Sequence, residues 1–191
     1  MNALAPFYKL FCFPAYICYK IIVRNNKEIK EDFDINRKYH ASPNTGEYVS
    51  FCNMMQKLPE YRFILYNRMP VVLGAILNII LPKRRIYFNI NNLQGGVQVI
   101  HGWSTIVYAN KIGKNFKIHQ NCTVGNNHNG IPTIGDNVEM FPGSVVAGNI
   151  IIGNNVRIGA NCVVLHNVPD NTICYGNPCK MVNRGTLSLN S

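Results

Sequence analysis

Ile152-Gly153-Asn154-Asn155-Val156-Arg157-Ile158-Gly159-Ala160-Asn161-Cys162-Val163-Val164 sets an aliphatic residue at every sixth position: Ile152, Ile158 and Val164. The same period runs back through Val146, Met140 and Ile134. After an offset of four residues it continues through Val124, Ile118, Ile112, Ile106 and Ile100. Glycine follows at once at Gly113, Gly125, Gly135, Gly153 and Gly159. Neither a helical period of about 3.6 nor a plain strand alternation produces this pattern. A hexapeptide period marks a parallel β-helix, and this predicts a mainly β fold of stacked coils from about Val97 to Val168.

Each unit reads as one short strand and one turn, and three units close a triangular coil. The aliphatic residue points inward. So does the fifth position of each unit, filled by Cys122, Val138, Ser144, Ile150, Val156, Cys162 and Val168. Gly and Asn fall at the bends, where a positive φ costs them little. Residues 18 apart should therefore stack on one face. By that count His119 lies one coil beyond His101. With the offset of four, Phe141 follows His119. The offset itself predicts a loop over residues 126–133, containing Asn127, His128 and Asn129, and loops on a rigid scaffold often carry function.

The chain has 191 residues and a formal net charge of +10, which favours anionic partners. No nucleic-acid-binding motif accompanies that charge. Residues 1–90 hold 13 basic and 6 acidic residues and no hexapeptide period. Asn2–Val23 is aromatic-rich and broken by Pro6 and Pro14, while residues 25–50 are polar and read as irregular. Pro59–Met69 reads as a helix with proline near its start. Pro70–Leu81 is a second apolar segment, closed by Pro82-Lys83-Arg84-Arg85 and too short to span a bilayer. Such a segment can pack in an oligomer or touch a membrane surface peripherally. Three regions result: a partly helical 1–90, a β-helix over 91–183 and a tail over 184–191. The seven cysteines form no metal-ligand cluster, and no cleavable signal peptide is evident. Reduced thiols in a cytoplasmic protein are expected.

Val99-Ile100-His101-Gly102-Trp103-Ser104-Thr105-Ile106-Val107 resembles the catalytic segment of serine acetyltransferases and related polysaccharide O-acetyltransferases, including the colanic acid type. Ile158–Val164 resembles that family's terminal-coil motif. Val168-Pro169-Asp170-Asn171-Thr172 and Gly176-Asn177-Pro178-Cys179-Lys180 resemble its C-terminal signature. The resemblance implies a left-handed β-helix, a homotrimer, acetyl-CoA as donor, no metal, and His101 as general base. A base near neutral pKa suits the activation of a hydroxyl for attack on a thioester. His119 and His128 are further catalytic candidates. Trp103, Asn127, Asn129 and Phe141 are candidate acceptor contacts. For the coenzyme A arm, the resemblance points to Gly143, Ser144, Ala147, Gly148, Gly159 and Ala160, with Lys180 for a phosphate.

Two features depart from serine acetyltransferases. Ile86 stands where a carboxylate partner of the catalytic histidine is expected, and no Asp or Glu occurs between Tyr61 and Gly135. That leaves Asn89, Asn91 or a backbone carbonyl to orient His101. No Arg occurs between Arg85 and Arg157, so the loop offers no guanidinium to a serine carboxylate. The neutral, Asn-rich loop leads to the expectation of a sugar hydroxyl in a surface polysaccharide as acceptor, with serine as the alternative. A zinc carbonic-anhydrase-like role for His101, His119 and His128 and a non-catalytic scaffold are remoter readings.

Overall fold

Apolar faces at helical spacing organise the first unit. The computed structural model describes residues 5–42 and 44–187. Asn2, Pro43 and the last four residues of the expected tail lie outside them. By contacts the chain divides into a unit of residues 1–84 with Gly95–Val97, and a second of Arg85–Gln94 with residues 98–191. The first unit contains α1 (Ala5–Val23), α2 (Lys27–His40), α3 (Glu47–Lys57), α4 (Pro59–Arg68) and α5 (Val71–Ile80). Pro14 lies within α1 and does not end it. The stretch expected to be irregular holds α2. Asn26 caps that helix by accepting from Ile29 N at 3.1 Å, and Ile29, Asp32, Phe33 and Asn36 repeat at i, i+3, i+4 and i+7 on its buried face. The two polar members of that face hid the pattern from a reading by hydropathy.

The helical core is aromatic. Tyr19, Phe33 and Phe51 pack with centroids 5.1–6.4 Å apart. Asp32 is buried and ion-paired to Arg68 Nε at 2.6 Å. It also accepts from Val97 N at 2.8 Å, while Asn36 Nδ2 donates to Val97 O at 2.9 Å. These bonds satisfy the backbone of a short segment that has no strand partner. Burial nevertheless pushes the Asp32 carboxyl up to about 6, against the opposing pull of Arg68.

The second unit is a parallel β-solenoid. Its strands are β1 (Tyr87–Leu93), β2 (Gln98–Val99), β3 (Ile106–Ile112), β4 (Lys117–Ile118), β5 (Thr123–Gly125), β6 (Thr133–Ile134), β7 (Glu139–Met140), β8 (Val145–Ala147), β9 (Ile151–Ile152), β10 (Arg157–Ile158), β11 (Val163–Val164), β12 (Thr172–Tyr175) and β13 (Lys180–Asn183). One face stacks β2-β4-β7-β10-β12 in parallel, and β13 closes it antiparallel to β12. A second runs β3-β5-β8-β11 and a third β3-β6-β9. The long β3 rounds the corner between these two, with β1 alongside it. A four-residue helix, α6 (Arg184–Leu187), follows β13.

From Ile112 onward the predicted core holds. Ile112, Ile118, Val124, Ile134, Met140, Val146, Ile152, Ile158 and Val164 are completely buried, and so are most fifth-position residues. At the bends positive φ falls, as expected, on asparagines and glycines: Asn115, Asn121, Asn137, Asn155, Asn161 and Asn171, with Gly143 and Gly148. The glycines directly behind the aliphatic positions do a different job. Gly113, Gly135 and Gly153 have no such torsion. A Cβ on Gly113 would sit 2.6 Å from the Gly135 carbonyl, and one on Gly135 would sit 2.8 Å from that of Gly153. Glycine is required there because stacked coils approach too closely for any side chain.

The first coil departs from the predicted frame. Ile106 is 49% exposed and Ile100 only half-buried, while Val99 and Val107 fill the interior. Six residues lie between Val99 and Ile106, whereas four lie between their partners Ile118 and Thr123. The surplus is taken up in the corner His101–Thr105.

Candidate active site

That corner presents the predicted base. His101 is exposed with φ 53°, and Ser104 has φ 51°. Two non-glycine residues in the left-handed region within one turn are held by specific bonds. Trp103 N donates to His101 O. Trp103 O accepts from Asn121 N at 2.8 Å, and Thr105 Oγ1 donates to His119 O at 3.0 Å. Thr105 is buried, so its hydroxyl anchors the corner to the next coil. Gly102 allows the tight pass, since a Cβ there would lie 2.5 Å from Ile86 Cδ1 and 2.7 Å from Val99 Cγ1. Ile86 therefore packs under the corner. Asn91 bonds Asn110 at 3.4 Å, and among the described residues no side chain bonds the His101 imidazole.

The predicted His101-His119-Phe141 column is only partly formed. His119 stacks on Phe141, with ring centroids 5.3 Å apart and planes at 12°. On this face, however, the first step is 19 residues: Gln98 pairs with Lys117 and Val99 with Ile118. Continuing that register brings Ile100 beside His119 and His101 beside Gln120. The bulged corner shifts His101 out of the column by one position.

A carboxylate that sequence spacing missed stands on this face. Glu139 pairs in register between Lys117 and Arg157, with Oε1 2.9 Å from Lys117 Nζ and Oε2 3.6 Å from Arg157 Nε. Oε1 also lies 3.5 Å from His119 Nε2, close enough for attraction but not an aligned hydrogen bond. It lies beyond the acid-free stretch that ends at Gly135, because the four-residue insertion lengthens this coil step to 22 residues and brings Glu139 to Lys117. The two flanking cations hold the Glu139 carboxyl below the usual range despite partial burial. Burial lowers the His119 pKa, with Glu139 opposing. Gln98 Nε2, His119 Nε2 and Gln120 Oε1 are all buried without a hydrogen-bond partner.

The predicted loop joins β5 to β6. Asn126 Oδ1 accepts from Gly130 N at 3.2 Å, and His128 and Asn129 are exposed. Asn127 turns inward onto Gly148, where a Cβ would meet its Nδ2 at 2.5 Å, and its Oδ1 is buried without a partner. Trp103 is 59% exposed. Among the coenzyme A candidates, Ala160 and Lys180 are exposed, Ala147, Gly143 and Gly159 half-buried, and Gly148 buried. The Ser144 side chain lies wholly inside the prism, 3.5 Å from Cys122 Sγ, and its backbone groups are engaged by Phe141 O and Thr123 N. Among the described residues, no three His, Cys, Asp or Glu side chains converge as a metal site.

Residues 131–166, which hold β6 to β11, match the bacterial transferase hexapeptide family (six repeats). Serine acetyltransferases of Staphylococcus epidermidis and Staphylococcus aureus are 41% and 40% identical to the chain over 90 residues. Each alignment spans 43% of this chain and 41% of the relative, so well under half of the relatives' length is matched. The fold is similar to that of Neisseria gonorrhoeae serine acetyltransferase in complex with serine. The TM-score is 0.60 at 22% identity, over 86% of this chain and 73% of that one. It is also similar to Brucella abortus serine acetyltransferase in complex with coenzyme A, with a TM-score of 0.55 at 20% identity over 86% and 71%. These findings overturn the expectation of a polysaccharide acceptor. The lack of arginine in one contiguous loop was a weak guide, because the solenoid gathers Lys117 and Arg157, 40 positions apart, onto one face.

Proposed function

We propose that the chain is an acetyltransferase that moves the acetyl group of acetyl-CoA to the hydroxyl of serine. The observation that carries this reading is the 90-residue match, at 41% identity, to proteins named serine acetyltransferase. His101, on its strained and exposed corner, is the general base. It takes the hydroxyl proton as Oγ attacks the thioester carbonyl. The C–O bond forms, the C–S bond breaks, and the proton passes to the departing thiolate. His119 and the Glu139 carboxylate behind it shape the adjoining wall. His128, Asn127, Asn129 and Trp103 border the acceptor. Gly143, Ala147, Gly148, Gly159, Ala160 and Lys180 are the groups offered to coenzyme A, and three copies around the prism axis complete the sites.

The test is release of free thiol from acetyl-CoA in the presence of L-serine. Serine-dependent release that falls by about 10²–10⁴-fold in His101→Asn supports the assignment. Release independent of serine, or undiminished in the variant, would refute it.

A further inference from the structure

Helix α5 carries an apolar surface that its own unit does not cover. Within Val71–Ile80 only Gly74 and Leu77 are buried. Val71 is 87% exposed, Ile79 81%, Val72 72%, Ile80 57% and Ile76 52%. At 100° per residue these five side chains cover half the helix circumference. Water-exposed patches of this kind mark interaction sites. Gly74 seats the opposite side, where a Cβ would lie 2.9 Å from Tyr66 O, so the exposed half is fixed rather than free to roll inward. Helix α1 presents a second exposed row at Leu10, Phe13, Ile17 and Ile21.

The charges around α5 select its occupant. The helix has no charged residue. A groove of about 340 Å³ beside it is lined by Asn67, Val71, Ala75, Asn78 and Lys83, among others. Lys83 Nζ bonds the neutral amide of Asn67 at 3.0 Å and lies 5.3 Å above the Phe63 ring. Its ammonium is partly desolvated, which lowers its pKa, so a neighbouring anion would relieve it. The whole chain carries +10. A second copy would bring a second Lys83 against a helix that offers it no counter-charge, whereas an anionic lipid surface brings the complement. Ten helical residues span about 15 Å, half of a hydrocarbon core, so α5 can lie in the headgroup boundary but not cross. Among the described residues, no helix is long and apolar enough to cross.

We infer that the exposed half of α5, with the Lys83 groove beside it, docks the protein on the surface of a membrane rich in anionic phospholipid. This holds independently of the acceptor of the acetyl group. The test is co-sedimentation of the full chain with vesicles of phosphatidylglycerol and phosphatidylcholine, against pure phosphatidylcholine. Binding should be at least about tenfold tighter to the anionic vesicles and weaken with salt. Val72→Glu/Ile79→Glu alters only exposed positions, so its circular-dichroism melt should match the parent while vesicle binding falls about tenfold or more. Lys83→Gln should narrow the anionic preference. Parent-like vesicle binding by the double variant would overturn the inference. So would absence of binding by the parent together with self-association that the double variant abolishes, which would assign the face to a second copy.

Discussion

The solenoid and the helical unit solve the same problem with opposite means. In the solenoid, two residues in six supply the core, and each coil repeats its neighbour's bonds. Asn137 Nδ2 donates to Asn155 Oδ1 at 3.0 Å, and Asn155 Nδ2 to Asn171 Oδ1 at 3.0 Å. Asp136, Asn154 and Asp170 in turn each accept from the backbone of the preceding coil at 2.7–2.8 Å. Stability is spread over many similar small terms. The helical unit concentrates it in a few large aromatics and in ion pairs on buried carboxylates, Asp32–Arg68 and Glu60–Arg84. A periodic scaffold therefore tolerates a strained corner such as His101–Thr105, since the next coil holds it through Thr105 and Asn121 while Ile86 packs against Gly102. An aperiodic core has little redundancy.

The largest expected effect separates chemistry from scaffold. His101→Asn keeps a residue that accepts φ 53° and removes the base, so the rate of serine-dependent thiol release should fall by about 10²–10⁴-fold. The urea midpoint should stay within experimental error of the parent. A shifted midpoint would mean that His101 supports the corner instead of serving it.

Next in size is truncation of a core aromatic. Phe51 is completely buried and touches Tyr16, Tyr19 and Phe33. Phe51→Ala should cost about 3–5 kcal/mol, against about 0.5–1.5 kcal/mol for Ile158→Val in the solenoid. Equal losses in equilibrium denaturation would erase the contrast between concentrated and distributed cores.

The Asp32–Arg68 pair gives a pH signature. The folded chain holds the Asp32 proton more tightly, at about 6, than an unfolded aspartate near 3.9. Its contribution is thus complete below about pH 4 and is lost as pH rises through 6, by an amount on the order of 2–3 kcal/mol. Asp32→Asn should remove that slope from the stability profile between pH 4 and 6. An unchanged slope would place the titration elsewhere.

The smallest effect tests the asparagine ladder. Asn155→Ala should cost about 1–2 kcal/mol, combining a left-handed torsion with two lost amide bonds. Asn155→Gly keeps the torsion and loses only the bonds, so it should cost about half as much. If the glycine variant melts with the alanine variant, the ladder alone carries the term.

Much of this molecule was legible in the chain itself. A six-residue period has one physical solution, so the buried positions from Ile112 to Val164, the loop after Val124 and the stacking of His119 on Phe141 all follow from counting. The resemblance around His101 pointed to the acetyltransferase reading. Three things required the folded chain. Helix α2 was hidden because Asp32 and Asn36 on its inner face look like surface residues until Arg68 and the Val97 backbone satisfy them. The first coil's frame slipped because two surplus residues were absorbed in the His101 corner, and periodicity cannot say which corner yields. Glu139 reached His119 because an insertion elsewhere advanced the register. Local spacing determines what repeats; only closure of the coils in three dimensions decides which unlike residues meet.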